Sequence, residues 1–314
     1  MFLNMIFKAV IVISIGVAAY LLFQTVQHYS VAQIINALFA LPLGSLGLAF
    51  LFAGLSYASL SLFDGLATRY IGKPLPLWKT GLTSFISLSI GHNVGMAALS
   101  SAAIRYRFYS RWGFSSGDVG LVVIFCGTTV VLGLSTLGAA ALVLRPQDAE
   151  ALTGLGGGAI ATIAIVAASF PVLYLVLAAF LRRPLTIRGH SLYLPNIRIA
   201  VLQVIIGTVN FAFVSASLHQ VLSAISQASY LKVAAISVIA NVAAIISHVP
   251  GGFGVLEATV SYILPGAKAL AAVIAFRVIY YFVPLLLGLL LFGVYEVATT
   301  VPTPAEQRRS RIPE

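Results

Sequence analysis

The sequence predicts an all-α polytopic integral membrane protein, with six spanning helices plus two re-entrant helical hairpins in an inverted-topology repeat. Three observations carry this prediction. Charged residues are 8% of the 314, apolar residues are 60%, and the mean hydropathy is +1.03. A soluble domain carries about 25% charged residues, so a globule of this composition could not cover its surface with polar groups. Apolar runs of the ~20 residues needed to span a bilayer recur along the chain. The charge is lopsided, with 18 Lys and Arg against 8 Asp and Glu, and the basic residues gather in short loops between the apolar runs. The positive-inside rule explains that pattern without nucleic acid. An ordinary soluble enzyme is excluded.

Clear spans fall at 5–23, 38–63, 119–144, 157–181, 199–222 and 269–297. The first is read as a membrane helix and not a signal peptide. Only Lys8 stands near its start, and no clear small-residue cleavage site follows. Cys126 is the single cysteine, so no disulfide framework or cysteine metal site forms within one chain. The tail 302–314 is polar and proline-containing, which predicts disorder on the cytoplasmic side.

Two stretches are ambiguous. Residues 80–103 are only moderately apolar, and 231–264 are broken by Pro250, Gly251, Gly252 and Gly254. Basic residues decide between crossing and returning. Arg69, Lys73 and Lys79 precede the first stretch, and Arg105, Arg107 and Arg111 follow it. A single crossing would put these clusters on opposite sides, which the positive-inside rule disfavours. A hairpin that enters and leaves on the cytoplasmic face removes the conflict. The second stretch then starts and finishes outside. Arg145, Lys232 and Lys268 fall outside, Arg277 lies within an apolar run, and the remaining basic residues lie inside with both termini. If both stretches span fully, the chain has eight or nine crossings instead.

The scheme divides one membrane domain, 1–301, into halves at 1–145 and 157–297. The halves start on opposite sides, as in the inverted repeats of secondary transporters. A short echo accompanies them: Gly91-His92-Asn93-Val94-Gly95 in the first hairpin, and Ser247-His248-Val249-Pro250-Gly251 in the second.

The candidate binding residues cluster at these breaks. Gly91 and Gly95 let backbones approach closely, and a broken helix presents its N-terminus to an anion. His92 and Asn93 either bind substrate or fix the hairpin tip. Arg105 and Arg107 either hold a lipid phosphate bidentately or are ordinary flanking charges. At the second break, Pro250 ends a helix while Gly251, Gly252 and Gly254 permit a tight reversal. His248 stands beside them. Glu257, three residues past Gly254, is placed to cap the next half-helix or to meet a cation. Arg277 lies nine residues into the last run, ~13 Å of helix rise from its start. It cannot snorkel out and must face the interior. It meets either a phosphate or Glu257, with Tyr281 at i+4 on the same face. Asp64, Asn210, His219 and Asn241 are assigned to hydrogen bonding between helices, Asp64 with Arg69 as its expected partner. No metal-ligand spacing, phosphate loop or nucleophile motif is present, and no cofactor is expected.

At the two clusters the chain resembles a known family. GHNVGMAALSSAAIRYRFYSRWGFSSGDV (91–119) is similar to a signature of the N-terminal flippase domain of the lysylphosphatidylglycerol synthase/flippase (multiple peptide resistance factor) family. HVPGGFGVLEATV (248–260) resembles its second signature, which is shared with stand-alone lipid transporters of the wider superfamily. The resemblance implies helices and re-entrant hairpins around a lipid-accessible cavity. Full-length members add a soluble aminoacyl-transferase domain. This chain departs from that pattern by stopping after the membrane domain, so enzymatic lipid synthesis is not expected.

The expectation is therefore a phospholipid flippase of the bacterial inner membrane, linked to antimicrobial peptide resistance. It would move an anionic or aminoacylated phospholipid such as lysyl-phosphatidylglycerol. Its expected partners are membrane phospholipid, a separately encoded aminoacyl-lipid synthase and, in a homodimer, a second copy. The alternatives are a non-transporting scaffold for a lipid-modifying enzyme, and a transporter of another lipid such as a hopanoid.

Overall fold

The computed structural model describes residues 32, 35, 36 and 39–300, apart from 95, 96, 182–184, 188, 189, 193, 248, 249, 253 and 264–266. The expected span at 5–23, the tail 302–314, Gly95 and His248 lie outside the described residues.

Five helices are long and apolar enough to cross a membrane. The elements run α1 Leu43–Tyr70, α2 Leu77–Val94, α3 Ala97–Ser110, α4 Ser116–Leu144, α5 Pro146–Thr153 and α6 Gly157–Phe180. Strands β1 Leu185–Ile187 and β2 His190–Leu192 follow, then α7 Ile197–Ser223, α8 Tyr230–Ser247, a 3₁₀ turn Pro250–Gly252 and α9 Val255–Ile263. The last span is built from α10 Ala267–Arg277, a π-helical turn Val278–Phe282 and α11 Val283–Thr300. The short antiparallel pair β1–β2 is a departure from the all-helical expectation, confined to the loop between two spans.

Local chemistry sets the helix ends. The Ser115 hydroxyl accepts from the Asp118 N–H, and the Asp118 carboxylate accepts from the Ser115 N–H, a reciprocal cap that starts α4. The Asn196 side chain accepts from the Ile199 N–H and starts α7. Pro146 stands in the first turn of α5, and Gly154 ends that helix at φ 70°. Helix α1 continues past the expected end at 63, carrying Asp64 and Arg69 with it. Asp64 does not end the helix because its charge is neutralised inside the bundle, as described below.

The centre of the bundle is the antiparallel pair α1 and α7. Ser56 Oγ donates to Asn210 Oδ1 at 2.8 Å, and Ser217 Oγ donates to the Ala49 carbonyl at 2.9 Å. The Phe52 and Phe213 rings meet between these bonds, 6.2 Å apart. Helix α4 crosses α7 at two glycines. A Cβ on Gly133 would lie 2.4 Å from the Gly207 carbonyl carbon, so the backbones touch and neither position admits a side chain. Helix α8 packs against α4 and α7, α11 packs against α2, and α6 covers α4 and α7 from outside.

The first ambiguous stretch folds as a helical hairpin, α2 followed by α3. Trp78 at its start and Trp112 after its end meet with ring centroids 6.4 Å apart, and Lys79 Nζ lies 4.8 Å from the Trp112 ring. Lys73, just before the hairpin, donates to the Gly113 carbonyl at 3.1 Å and to Asp118 at 2.7 Å. Both ends of the hairpin therefore lie at the same end of the bundle. The second stretch also breaks, at the Pro250–Gly252 turn, where Gly251, Gly252 and Gly254 all take positive φ. This turn packs against α2, so the two breaks meet inside the bundle.

Two outcomes test this arrangement. In a background with Cys126→Ser, a membrane-impermeant thiol reagent labels Pro74→Cys and Ser116→Cys from one face and Gln147→Cys from the other. Labelling of Pro74→Cys and Ser116→Cys from opposite faces would mean that the hairpin crosses. Gly207→Ala is expected to destabilise by about 1–3 kcal/mol through overpacking, seen as a lower unfolding midpoint in detergent.

Candidate functional site

Among the described residues, charged side chains of the bundle form two buried pairs and, at its end, a cluster of two arginines on one glutamate. In the first buried pair, Arg105 of α3 donates from Nε and Nη2 to both oxygens of Asp64, at 2.9–3.2 Å. Their side chains are 2% and 0% exposed. Tyr109 OH and Cys126 Sγ also donate to Asp64, at 2.8 and 3.1 Å. The expected Asp64–Arg69 pair does not form. Five residues along a helix is about 140° around it, so the two side chains leave opposite faces.

Arg107 sits at the bundle end shared by both hairpin termini. It grips Glu296 of α11 bidentately at 2.8 and 3.0 Å. Arg111 reaches the same carboxylate and Thr299, both at 2.8 Å. Phe108 stacks on Tyr295 with centroids 4.5 Å apart. This cluster ties the first hairpin to the last span. Arg105 and Arg107 thus make ion pairs in separate places, and neither joins the cluster at the hairpin breaks.

The second buried pair stands at the break of the second hairpin. Arg277, 1% exposed, meets both oxygens of Glu257, from Nε to one and from Nη2 to the other. Its Nη1 and Nη2 also donate to the carbonyls of Gly251 and Gly252, at 2.9 and 2.8 Å. Those carbonyls are available because the positive-φ glycines turn them out of any helix ladder. Glu257 accepts from the Gly254 N–H at 2.9 Å, so it caps α9 and meets the cation at once. The Tyr281 ring lies 5.5 Å from the guanidinium carbon, on the face that the i+4 spacing predicts. Removing one partner of such a pair leaves an uncompensated buried charge, worth about 3–5 kcal/mol.

The turn after Arg277 joins the two halves of the chain. Pro284 has no N–H for the Tyr280 carbonyl four residues back, and its ring would clash there. The helix widens instead, with the Val283 N–H bonding the Val278 carbonyl. Two loosened carbonyls take partners from the first half. Tyr57 OH donates to the Tyr280 carbonyl, and Asn93 Nδ2 donates to the Tyr281 carbonyl, each at 3.2 Å. Ser56 Oγ lies 2.8 Å from Tyr280 OH. His92 packs its ring 6.4 Å from that of Tyr57, and its buried Nδ1 has no hydrogen-bond partner among the described residues.

A narrow cleft opens beside this junction, lined by α7, α8, the Gly251–Gly252 turn, Phe276 and Tyr281. The structure thus brings together Asn93, Gly251, Gly252, Gly254, Glu257, Arg277 and Tyr281, with His92 nearby. It adds Ser56, Tyr57, Asn210 and Tyr280, which sequence reasoning passed over or assigned only to helix contacts. Pro284, seven residues past Arg277, was the available signal for the loosened carbonyls. Asn241 bonds within its own helix, to the Ser237 carbonyl at 2.8 Å, and not across helices.

Comparison with known proteins follows the same lines. A family model described as Lysylphosphatidylglycerol synthase TM region matches residues 11–288. The chain is similar to an uncharacterized protein of Synechocystis sp., 30% identical over 86% of this chain and 85% of that one. It is similar to Inner membrane protein YbhN of Escherichia coli, 32% identical over 77% of each chain. It is also similar to a phosphatidylglycerol lysyltransferase of Staphylococcus haemolyticus, 23% identical over 99% of this chain and 36% of that longer one.

Asp64→Ala is expected to destabilise the protein by about 3–5 kcal/mol, because it strands the Arg105 charge. The double variant Asp64→Leu/Arg105→Met is expected to regain most of this loss. Denaturant titration in detergent measures both, and equal loss in the single and double variants would contradict the assignment.

Proposed function

The chain belongs to the lysylphosphatidylglycerol synthase TM region family, and we propose that it translocates an anionic or aminoacylated phospholipid, such as lysyl-phosphatidylglycerol, between the leaflets of the bacterial inner membrane. The observation that carries this is the Arg277–Glu257 pair, buried at membrane depth where the two hairpin breaks meet. An ionisable pair in hydrocarbon marks a pathway more often than it marks a scaffold. The pair offers a cation to a phosphate and an anion to an ammonium group, the two charges that an aminoacylated lipid carries.

We read the two halves as an inverted-topology repeat with re-entrant hairpins. The antiparallel α1–α7 centre supports this, as does the reciprocal packing of each half's last span on the other half's hairpin, α4 with α8 and α11 with α2. The helix ends and loops at the Trp78–Trp112 end carry Arg69, Lys73, Lys79, Arg107 and Arg111. The positive-inside rule makes that end cytoplasmic. The inner membrane location draws on the printed name of the Escherichia coli relative.

In this mechanism the lipid tails stay in the bilayer while the head group slides to the hairpin breaks. Phosphate exchanges with Glu257 on Arg277, and an ammonium group takes Glu257. Rocking one half against the other then exposes the site to each side in turn. The bonds from Tyr57 and Asn93 to the Tyr280 and Tyr281 carbonyls are the contacts that such rocking breaks and remakes. The groups gathered at the breaks suit binding and release, which supports a transporter and not an enzyme.

Glu257→Gln tests the reading, since it removes the charge and keeps the shape. Reconstituted in vesicles with head-group-labelled phosphatidylglycerol or its lysyl ester, the variant is expected to move lipid at least tenfold more slowly than the parent protein. Equal rates in a correctly inserted variant would overturn the site assignment. No movement by the parent protein, together with a stoichiometric copurifying partner, would favour the scaffold.

A further inference from the structure

One buried ring nitrogen stays out of the bonding that surrounds it. His92 Nδ1, at the break of the first hairpin, has no hydrogen-bond partner among the described residues. Whichever tautomer the ring adopts, that atom is an unmet donor or acceptor, which is unfavourable in a buried interior. An imidazole that merely fixed the hairpin tip would be bonded, as its neighbours are. Asn93 donates to the Ser89 and Tyr281 carbonyls at 2.8 and 3.2 Å, and the Gly91 carbonyl accepts from Ser100 Oγ at 3.4 Å. His219, within α7, meets the Ala228 carbonyl at 3.2 Å. His92 as a whole is half-buried, so its ring is not sealed in.

The titratable and charged groups around it are few. From α1 it faces Tyr57, whose hydroxyl is taken by the Tyr280 carbonyl. From α3 it faces Arg105, which is held by Asp64. The Pro250–Gly252 turn brings no titratable side chain. Helix α11 brings Tyr295 and Glu296, which lie with Arg107 and Arg111 at the bundle end. Tyr280 and Tyr281 continue from Tyr57 as a row of rings, with centroids 5.5 and 5.3 Å apart, that ends at Arg277. Among the described residues no carboxylate pairs with His92, Asp64 and Glu257 being taken by Arg105 and Arg277. A proton on the ring would therefore add a positive charge beside Arg105 with nothing to balance it. An anion at the hairpin breaks provides that balance, because charges act over longer distances in a low-dielectric interior. Histidine is the side chain whose ordinary titration lies nearest neutrality.

We propose that His92 is a proton site that fills when a phosphate anion occupies the hairpin breaks, so that one proton travels with each anionic head group. The ring is neutral in the empty protein and an imidazolium in the loaded one. The proton comes from the side where the head group enters and is released on the side where it leaves. A pH gradient then drives lipid towards the alkaline side. This rests on the reading that an anionic lipid reaches the breaks.

Equilibrium binding of radiolabelled short-chain phosphatidylglycerol to the purified full-length chain in detergent, between about pH 6 and about pH 8, tests the linkage. Affinity is expected to fall at least fivefold as the pH rises, since the bound state holds the extra proton. His92→Gln, which keeps a polar side chain that does not titrate, is expected to give a flat profile. His92→Asn is expected to do the same, and it decides if His92→Gln fails to elute as a single species. A flat profile in the parent protein, or a retained slope in either variant, would overturn the proposal. In vesicles clamped at zero membrane potential, the parent protein is expected to move labelled phosphatidylglycerol at least threefold faster towards the alkaline side than towards the acidic side. Equal rates in both directions would overturn the coupling and leave translocation standing. No movement in either direction would overturn translocation, while the binding profile still decides the proton site.

Discussion

A guanidinium that cannot reach water must bring its counter-charge with it. Arg105 and Arg277 are each almost completely buried, and each is paired to a carboxylate from a distant part of the chain. Arg105 finds Asp64 across 41 residues, and Arg277 finds Glu257 across 20. Much of the bundle is organised by these requirements. The first pair binds the returning arm of one hairpin to the end of α1. The second holds the Gly251 and Gly252 carbonyls of a broken helix, which would otherwise lack partners in the buried interior.

The same requirement gives the two pairs different characters. Asp64 is enclosed by Arg105, Tyr109 and Cys126, which all donate to it. That pair is a closed knot. Arg277 and Glu257 stand next to a cleft and a π-helical turn, with an aromatic face over the cation. Pro284 contributes by denying the Tyr280 carbonyl its ordinary helical partner. Tyr57 and Asn93, both from the first half, then bond to the last span close to the ion pair. The two halves are therefore tied together beside the ion pair by single hydrogen bonds.

Much of the fold was legible because membrane burial imposes simple rules on composition. The spans at 119–144, 157–181, 199–222 and 269–297 agree with observed helices to within a few residues, because length and apolarity alone define them. The return of the first hairpin followed from Arg69, Lys73, Lys79, Arg105, Arg107 and Arg111, although Arg105 proves to be buried and not a loop charge. Its role was hidden because a flanking arginine and a buried one look alike in a list of residues. The end of α1 was misplaced for a related reason. Asp64 reads as a helix boundary until Arg105 is seen to neutralise it.

By itself, the sequence determined the solvent, the approximate spans, the two breaks and the need for Arg277 to face inward. Each of these depends on local composition or on the cost of one exposed group, and neither requires knowing its neighbours. The tertiary structure alone decided which carboxylate each arginine takes, that the two breaks meet, and that Ser237, Asn241 and Tyr281 face one cleft. Those facts depend on which side chains come within about 3 Å across helices far apart in the chain. Such proximity is set by close crossings such as Gly133 on Gly207, which no single helix encodes.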